Sequence, residues 1–244
     1  MQNHGKLLIA ALLFAGVLAI AGCSSENTGS SSGVLGTGTG TGTTTGTGIG
    51  PSGQVVLVRL GTDNLVQSVP PLYRKLWVAV VTDTAGRGVS GATVTFALRS
   101  GMALNPGSYT KGFYVRPAPA DPVQQWKKTP TVVCANEDAN FNDILDPGED
   151  LNGNGLLEPP GVSTVNPTGV TDSFGFAQAT IAYPKNYARW AEVTLEASTG
   201  GAGSTPATAT FELEGLATDY SDLNVAAPGD PSPFGQSNSC ADTQ

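Results

Sequence analysis

The sequence predicts an all-β protein, an antiparallel β-sandwich that is interrupted by one long loop insertion. Short segments rich in Val and Thr alternate between apolar and polar residues, which is the period of a strand. Gly and Pro, 32 and 17 of the 244 residues, favour turns over long helices. Beyond residue 53, no stretch carries the apolar period of an amphipathic helix. The chain is long enough to bury one sizeable core.

The composition excludes several classes of function. The chain has 12 basic and 20 acidic residues, a formal net charge of -8, whereas a nucleic-acid partner requires a basic surface. Its single histidine, His4, lies in a segment that we predict to be cleaved. The mature chain would then lack a Ser-His-Asp or Cys-His mechanism and any His-ligated metal site. We therefore expect no nucleic-acid partner and no enzymatic activity, with carboxylate chemistry left as the least favoured alternative.

Residues 1–22 have the features of an export signal. Lys6 supplies the positive start, and an apolar run of 14 residues without a charge extends from Leu7 to Ile20. A membrane-spanning helix needs about 20 such residues, whereas a signal-peptide core is shorter. The run therefore predicts a cleaved signal peptide.

The end of this segment, Ile20-Ala21-Gly22-Cys23, resembles the lipobox of bacterial lipoproteins. The resemblance implies that Cys23 carries a diacylglycerol and becomes the acylated N-terminus after cleavage. Ser24 follows, where an aspartate would indicate inner-membrane retention, so the expected location is the outer membrane of the cell envelope. The alternative is an ordinary secretory signal that leaves Cys23 free.

Residues 23–53 are predicted to be a lipidated, disordered linker. Of the 30 residues from 24 to 53, 24 are Gly, Ser or Thr. Such a composition offers too little apolar surface to offset the entropy of ordering the chain. We expect this segment to act as a flexible spacer between the lipid and the domain.

The domain itself is predicted to extend over residues 54–215. Its segments alternate in the manner of half-buried antiparallel strands and are separated by Gly-bearing turns such as Ala85-Gly86-Arg87-Gly88. The clearest strands are expected at residues 77–82, 93–98, 192–197 and 211–214. The first of them is apolar on both faces.

Two stretches of this domain are similar to a bacterial immunoglobulin-like domain of the intimin/invasin type. Val80 to Phe96 matches the family's Thr-Asp, Gly turn, Val-x-Gly-Ala and Val-x-Phe pattern, and Gly169 to Ala177 matches Thr-Asp-x-x-Gly-x-Ala. The chain departs from the family in an insertion at residues 101–165. The resemblance implies an immunoglobulin-like sandwich that serves as a spacer or binding module. Asp83 and Asp172 are expected to organise turns by accepting main-chain N–H bonds.

Within the insertion, residues 138–149 resemble an EF-hand calcium loop. Oxygen-bearing side chains occupy the first, third, fifth, ninth and twelfth positions, and calcium takes six to eight oxygen ligands. The expected ligands are Asp138, Asn140, Asn142, the carbonyl of Ile144, Asp146 through water, and Glu149. Asp143 stands at the sixth position, where the family prefers Gly, although Asp tolerates a left-handed backbone better than most residues.

A second loop of the same kind follows at residues 150–161, with Gly161 where the bidentate Glu belongs. Its expected ligands are Asp150, Asn152, Asn154 and Glu158. Without flanking helices, the pair resembles the calcium loops of dockerins or thrombospondin-like proteins. A loop rich in Asp and Asn that uses these residues only for turns is the alternative. We expect calcium to order the insertion, with a dissociation constant of about 10⁻⁴–10⁻³ M.

After lipidation of Cys23, two cysteines remain, Cys134 and Cys240. In an exported protein such a pair is expected to oxidise, which would fix the tail at residues 216–244 beside the insertion. Two free thiols are the alternative.

Four aromatic residues, Tyr109, Phe113, Tyr114 and Trp126, lie in the first half of the insertion. We expect them to pack on the edge of the sandwich, with Trp77 and Trp190 in the core. Exposed rings would instead provide a surface for a glycan.

From the sequence we therefore expect a lipid-anchored envelope protein with a structural, adhesive or assembly role and an envelope or surface protein as partner. A module that binds an extracellular ligand such as a polysaccharide is the alternative.

Overall fold

The computed structural model describes residues 43–100, 108–201 and 203–243, and strands dominate these ranges. Two 3₁₀ helices, Lys185–Tyr187 and Ala217–Tyr220, complete the regular structure there. The eleven strands of the described ranges are β1 Gly46–Ile49, β2 Val55–Val69, β3 Leu72–Asp83, β4 Thr93–Ser100, β5 Tyr109–Val115, β6 Lys127–Cys134, β7 Thr164–Val165, β8 Thr168–Val170, β9 Phe176–Pro184, β10 Glu192–Ser198 and β11 Ala207–Glu212.

The strands form two larger sheets and one hairpin. The five-stranded sheet has the order β1-β2-β3-β9-β7, the four-stranded sheet has the order β11-β10-β4-β8, and β5 pairs with β6. Every pair in them is antiparallel. The predicted all-β class with antiparallel sheets is therefore confirmed.

The inner faces of the two sheets meet in one apolar core. Trp77 on β3 and Phe211 on β11 are in contact, with ring centroids 4.8 Å apart. Ala79 and Val81 on β3 and Leu195 on β10 are also buried, so alternate residues of each strand point inward as their sequence period predicted. Burying one large apolar side chain contributes about 1.5–3 kcal/mol, so this shared core is what holds the sheets together.

The predicted linker was wrong at its C-terminal end. Gly46–Ile49 forms β1, which pairs with β2, and Thr47 exchanges main-chain hydrogen bonds of 2.8 Å with Thr205. A Cβ on Gly46 would meet the main chain of Ala207, so a glycine permits this close approach. The composition predicted disorder here because the segment has few apolar side chains to bury, whereas its order comes from main-chain hydrogen bonds.

The insertion contains structure that the sequence did not predict. Its first part forms the hairpin β5–β6, and its last two residues, Thr164–Val165, are β7 of the five-stranded sheet. The hairpin joins the sandwich through main-chain bonds, of which Thr110 N–H to the Trp190 carbonyl measures 2.7 Å. The described part of the insertion is thus a hairpin that joins the sandwich, followed by a segment without strands or helices at residues 135–163.

None of the four aromatic residues in the first half of the insertion is fully exposed. Tyr109 and Tyr114 are buried, whereas Phe113 and Trp126 are partly exposed. The Tyr114 ring meets Trp190 edge-on, with centroids 5.1 Å apart. Trp126 donates its Nε1–H to carbonyls of the C-terminal tail. Packing is therefore the main role of these side chains.

The disulfide prediction is confirmed, because Cys134 and Cys240 are bonded. The tail beyond β11 follows the hairpin: Ser232 N–H donates to the Gly112 carbonyl at 3.0 Å. The fully buried Lys111 donates its ammonium group to two tail carbonyls, those of Ser239 and Asp242. The disulfide therefore adds a covalent link to a contact surface between the tail and the hairpin.

Replacing Cys240 by Ser is expected to lower the free energy of unfolding by about 4–5 kcal/mol, since the bond spans 106 residues and restricts the unfolded chain. Guanidinium titration of wild type and Cys240→Ser measures the difference. Reduction of the unfolded wild type should add two hydrogens to the intact mass. An unfolding free energy within about 1 kcal/mol of wild type would contradict this account.

Candidate functional site

The acidic part of the insertion begins with a tightly wound loop at residues 138–149. The carboxylate of Asp138 accepts the N–H of Asn142 at 3.1 Å and that of Asp143 at 2.8 Å. Two shorter turns lie inside it: Asn140 Oδ1 accepts the N–H of Asn142, and Asn142 Oδ1 accepts that of Ile144. The first, third and fifth side chains thereby all accept main-chain N–H groups of the loop.

The second loop, residues 150–161, repeats this arrangement twelve residues later. Asp150 accepts the N–H groups of Asn154 at 3.0 Å and Gly155 at 2.8 Å. Asn152 Oδ1 accepts the N–H of Asn154, and Asn154 Oδ1 accepts that of Leu156. The two loops are therefore one structural unit used twice, as the sequence repeat predicted.

The backbone of the two loops matches as well. The fourth residues, Phe141 and Gly153, have φ values of 59° and 72°, and the sixth residues, Asp143 and Gly155, have values of 59° and 78°. Asp143 thus adopts the left-handed conformation for which this position usually carries Gly. Its N–H bond to Asp138 compensates for the conformational cost.

In each loop a carboxylate at the ninth position gathers the third and fifth side chains. The donor–acceptor pairs are Asn140 and Asn142 with Asp146 at 2.8 and 2.9 Å, and Asn152 and Asn154 with Glu158 at 2.8 and 3.1 Å. Three polar side-chain ends therefore meet at one point of each loop. Each Asn presents its nitrogen to the carboxylate and its oxygen to a main-chain N–H, so the amide must turn over before that oxygen can face a cation at this point.

The twelfth residue of the first loop, Glu149, closes it with both oxygens. Oε1 accepts the N–H of Ala139 at 3.0 Å, and Oε2 accepts the N–H of Asp146 at 3.0 Å. Glu149 is buried. Its carboxylate, the predicted bidentate ligand, therefore joins the start of the loop to its ninth residue.

The second loop is closed by Glu137, a residue that the sequence reasoning missed. Glu137 Oε1 accepts the N–H of Leu151 at 3.2 Å, and Oε2 accepts that of Glu158 at 3.0 Å. Glu149 forms the equivalent bonds in the first loop. The donors Leu151 and Glu158 lie twelve residues after Ala139 and Asp146, whereas the acceptor Glu137 lies twelve residues before Glu149. The empty twelfth position at Gly161 had predicted an incomplete second loop. The signal was nevertheless present, because Glu137 precedes Glu149 by one repeat.

Charge in this region is compensated mainly by N–H groups. Seven of the 20 acidic residues lie between Glu137 and Glu158, a segment without Lys or Arg. Within the described ranges, none of these seven acids forms an ion pair with a basic side chain. Glu137 is only 2% exposed. Burial raises the pKa of its carboxyl, and the neighbouring Glu158 raises the pKa further. Concentrated, partly buried negative charge of this kind favours a bound cation.

The donor set suits calcium better than a transition metal. Calcium is bound by carboxylate, amide and main-chain oxygens, which are the groups that these loops gather. In the described part of the chain, no group of three or more His, Cys, Asp or Glu side chains is arranged as a metal cluster. The loops differ from such clusters because Asn side chains occupy the third and fifth positions beside the carboxylates of the first and ninth.

The remaining predicted residues have separate positions. Cys23 and the signal segment lie outside the described residues. Asp83 and Asp172 organise turns as predicted, each accepting two main-chain N–H bonds through Oδ1. In the described ranges, no helix is both long and apolar enough to span a membrane.

Comparisons with protein-family models, with curated proteins and with solved structures found no match to this chain.

The exchange of Glu137 by Gln is expected to loosen only the second loop. The amide nitrogen of Gln would replace one carboxylate oxygen of Glu137 and would face an N–H group that it cannot accept. This loss should destabilise the closed loop by about 1–3 kcal/mol. In chelator, hydrogen exchange at Leu151 and Glu158 should accelerate about tenfold or more, since each 1.4 kcal/mol is a factor of ten. Exchange at Ala139 and Asp146 should stay at the wild-type rate.

The matched control is Glu149→Gln, for which we expect the opposite pattern. Equal acceleration of all four amides in both variants would contradict the separate closure of the two loops.

Proposed function

We propose that this chain is a non-catalytic, lipid-anchored protein of the outer membrane, with a structural, adhesive or assembly role in the cell envelope. Its immunoglobulin-like sandwich would carry an insertion that two calcium ions stabilise. The observation that carries the proposal is the repeated oxygen arrangement of the two loops, each closed by its own buried glutamate.

The strand order supports the immunoglobulin-like assignment. In one sheet β2, β3, β9 and β7 are consecutive neighbours, and in the other β4, β10 and β11 are. These are the neighbour relations of strands A, B, E and D and of C, F and G in an immunoglobulin domain. β1, β8 and the β5–β6 hairpin are additions, and the disulfide joins the insertion to the tail rather than the two sheets.

The calcium ions would be held by one set of groups from each loop. In the first loop these are Asp138, Asn140, Asn142, the carbonyl of Ile144, Asp146 and Glu149. In the second loop they are Asp150, Asn152, Asn154, the carbonyl of Leu156, Glu158 and Glu137. A divalent ion supplies charge compensation there, so that the carboxylates no longer repel one another.

The role proposed for calcium is structural. In the described ranges, residues 135–163 contain no strand and no helix. This segment is held to itself mainly by the side-chain bonds of the loops. Glu137 N–H also donates to the Glu158 carbonyl at 2.9 Å, so the start and end of the double loop are joined. Ions in both loops would fix the segment against the sandwich beside Cys134.

The lipid anchor and the envelope location rest on the sequence of residues 1–23. A lipobox after a charged start and an apolar run of 14 residues supports them. A diacylglycerol together with an N-terminal acyl chain gives stable membrane attachment, because each buried methylene contributes about 0.8 kcal/mol.

Calcium titration of the purified mature chain tests the metal assignment. We expect two ions per chain, because both loops are complete. At a free calcium concentration about 100 times the dissociation constant, each site adds about 2.7 kcal/mol to the free energy of unfolding. The melting temperature should therefore rise with calcium, as measured by calorimetry.

Two variants separate the loops in this titration. Glu137→Gln should retain one site and Glu149→Gln the other, whereas Asp222→Asn, a surface acid outside the loops, should bind as wild type does. A titration of wild type that gives neither heat nor a thermal shift would overturn the calcium assignment.

Expression of Cys23→Ser tests the anchor. The wild-type chain is expected in the membrane fraction, with a mature mass increased by the lipid, and the variant is expected to lose both properties. Recovery of unlipidated wild type in the soluble fraction would contradict the anchor while leaving the calcium assignment intact.

A further inference from the structure

The outer face of β3 is apolar although it faces solvent. Leu76, Val78 and Val80 point away from the core, and all three are only partly covered. The solvent face of an antiparallel sheet usually carries polar residues, so a row of three aliphatic side chains is unexpected there. This row is the second apolar face that the sequence of the strand indicated.

The row forms the floor of a trough of 800 Å³. On one side Gly61 of β2 pairs with Val78 and contributes no side chain. On the other side stand Val170 and Phe176, both exposed apolar residues, with Val170 65% exposed. Phe174, 71% exposed, lies in the adjoining turn. Exposed apolar side chains gathered beside a concave surface are typical of a protein-binding site.

Two carboxylates mark the two ends of the trough. Asp63 lies in the irregular part of β2 near Leu76, and Asp172 lies beside Phe176, whose register partner is Val80. Each uses Oδ1 to accept main-chain N–H groups of its own turn. In the described ranges neither forms an ion pair with Lys or Arg. Both carboxylates therefore lie at the trough without an ion pair among the described residues, on a face that also carries Arg59, the register partner of Val80, and Arg74.

We propose that this trough binds an extended segment of another protein in which an apolar residue lies between two basic residues four positions apart. Leu76 and Val80 are four residues apart on a strand, which is about 13 Å. An extended segment aligned with β3 would therefore place residues i and i+4 at the two acids and residue i+2 on Val78. Alternate residues of the segment would face solvent and remain free to vary.

The acidic ends favour this partner over a second copy of the chain. If two copies were joined through the trough, the Asp63 and Asp172 carboxylates of one copy would lie close to those of the other, and these like charges would repel one another. A basic segment gains from the same charges, and its association is expected to weaken with salt.

The inference goes beyond the proposed envelope role by giving the chain a contact surface for a partner. It does not depend on calcium, because no trough residue belongs to the double loop. A failed peptide experiment and a failed calcium titration are therefore distinguishable.

The test uses the mature chain and a fluorescent peptide, Thr-Lys-Thr-Val-Thr-Lys-Thr, whose anisotropy reports binding. We expect saturable binding to wild type and at least about tenfold weaker binding to Gly61→Trp, a loss of about 1.4 kcal/mol. A Cβ at Gly61 meets no atom within 4 Å, so the variant should fold while its side chain fills the trough. Val225→Trp, which enlarges an exposed apolar residue in the tail, is the matched control and should bind as wild type does.

The charge requirement has its own arm. Asn at positions 63 and 172 can still accept the turn N–H bonds, so Asp63→Asn with Asp172→Asn should lower affinity and reduce its dependence on salt. A peptide with Glu in place of both Lys residues should not bind wild type. The proposal is overturned if the Lys peptide fails to bind at millimolar concentration, or if Gly61→Trp binds it as well as Val225→Trp does. A wild-type dimer in sedimentation that Gly61→Trp abolishes would also overturn it, in favour of a second copy.

Discussion

Three parts of the molecule meet at the buried side chain of Trp190, and the arrangement of the insertion depends on this contact. The Trp190 carbonyl accepts the N–H of Thr110 from the hairpin, and its Nε1–H donates to the Gly229 carbonyl of the tail at 2.7 Å. Its ring meets Tyr114 and lies 5.2 Å below the ammonium group of Lys128. Chain segments distant in sequence thus pack against the indole and accept its hydrogen bond. A single apolar contact would not fix the position of these segments in this way. Because the hairpin and tail are held here, the segment that follows Cys134 leaves the sandwich at a defined position.

The strongly acidic segment that begins at this position remains compact because of its own hydrogen bonds. The double loop satisfies its carboxylates with main-chain N–H groups, so the negative charge helps to determine its conformation. Glu137 and Glu149 are equivalent in this respect, because the carboxylate of each closes one loop. Glu149 is the last residue of the first loop, whereas Glu137 lies outside the second loop that it closes. The remaining charge is uncompensated by basic side chains, which supports the proposed binding of a divalent cation. The outer face of β3 includes no residue of the double loop, so the two proposed binding surfaces are independent of each other.

Much of the fold could be predicted from the sequence, because strand alternation and turn residues are local signals. The turns at Asp83 and Asp172 were predicted for this reason. The disulfide required only that two cysteines remain in an exported chain. β1 was missed because its order comes from main-chain pairing in a Gly/Thr segment, which composition does not reveal. The attachment of the hairpin to the sandwich was missed because it is a main-chain contact with Trp190, some 60–80 residues away, which no local pattern specifies. Glu137 was missed because the loop was read forward from its first ligand, whereas the closing residue of the second loop precedes both loops.

The central claim is that the insertion contains two complete calcium sites, with Glu137 completing the second. Native mass spectrometry of the mature chain, sprayed with calcium and with chelator, tests this most directly. The account predicts a species with two bound calcium ions in wild type and one in Glu137→Gln, each lost in chelator. A single ion in both proteins would contradict the role of Glu137, and a metal-free mass in millimolar calcium would contradict the claim as a whole.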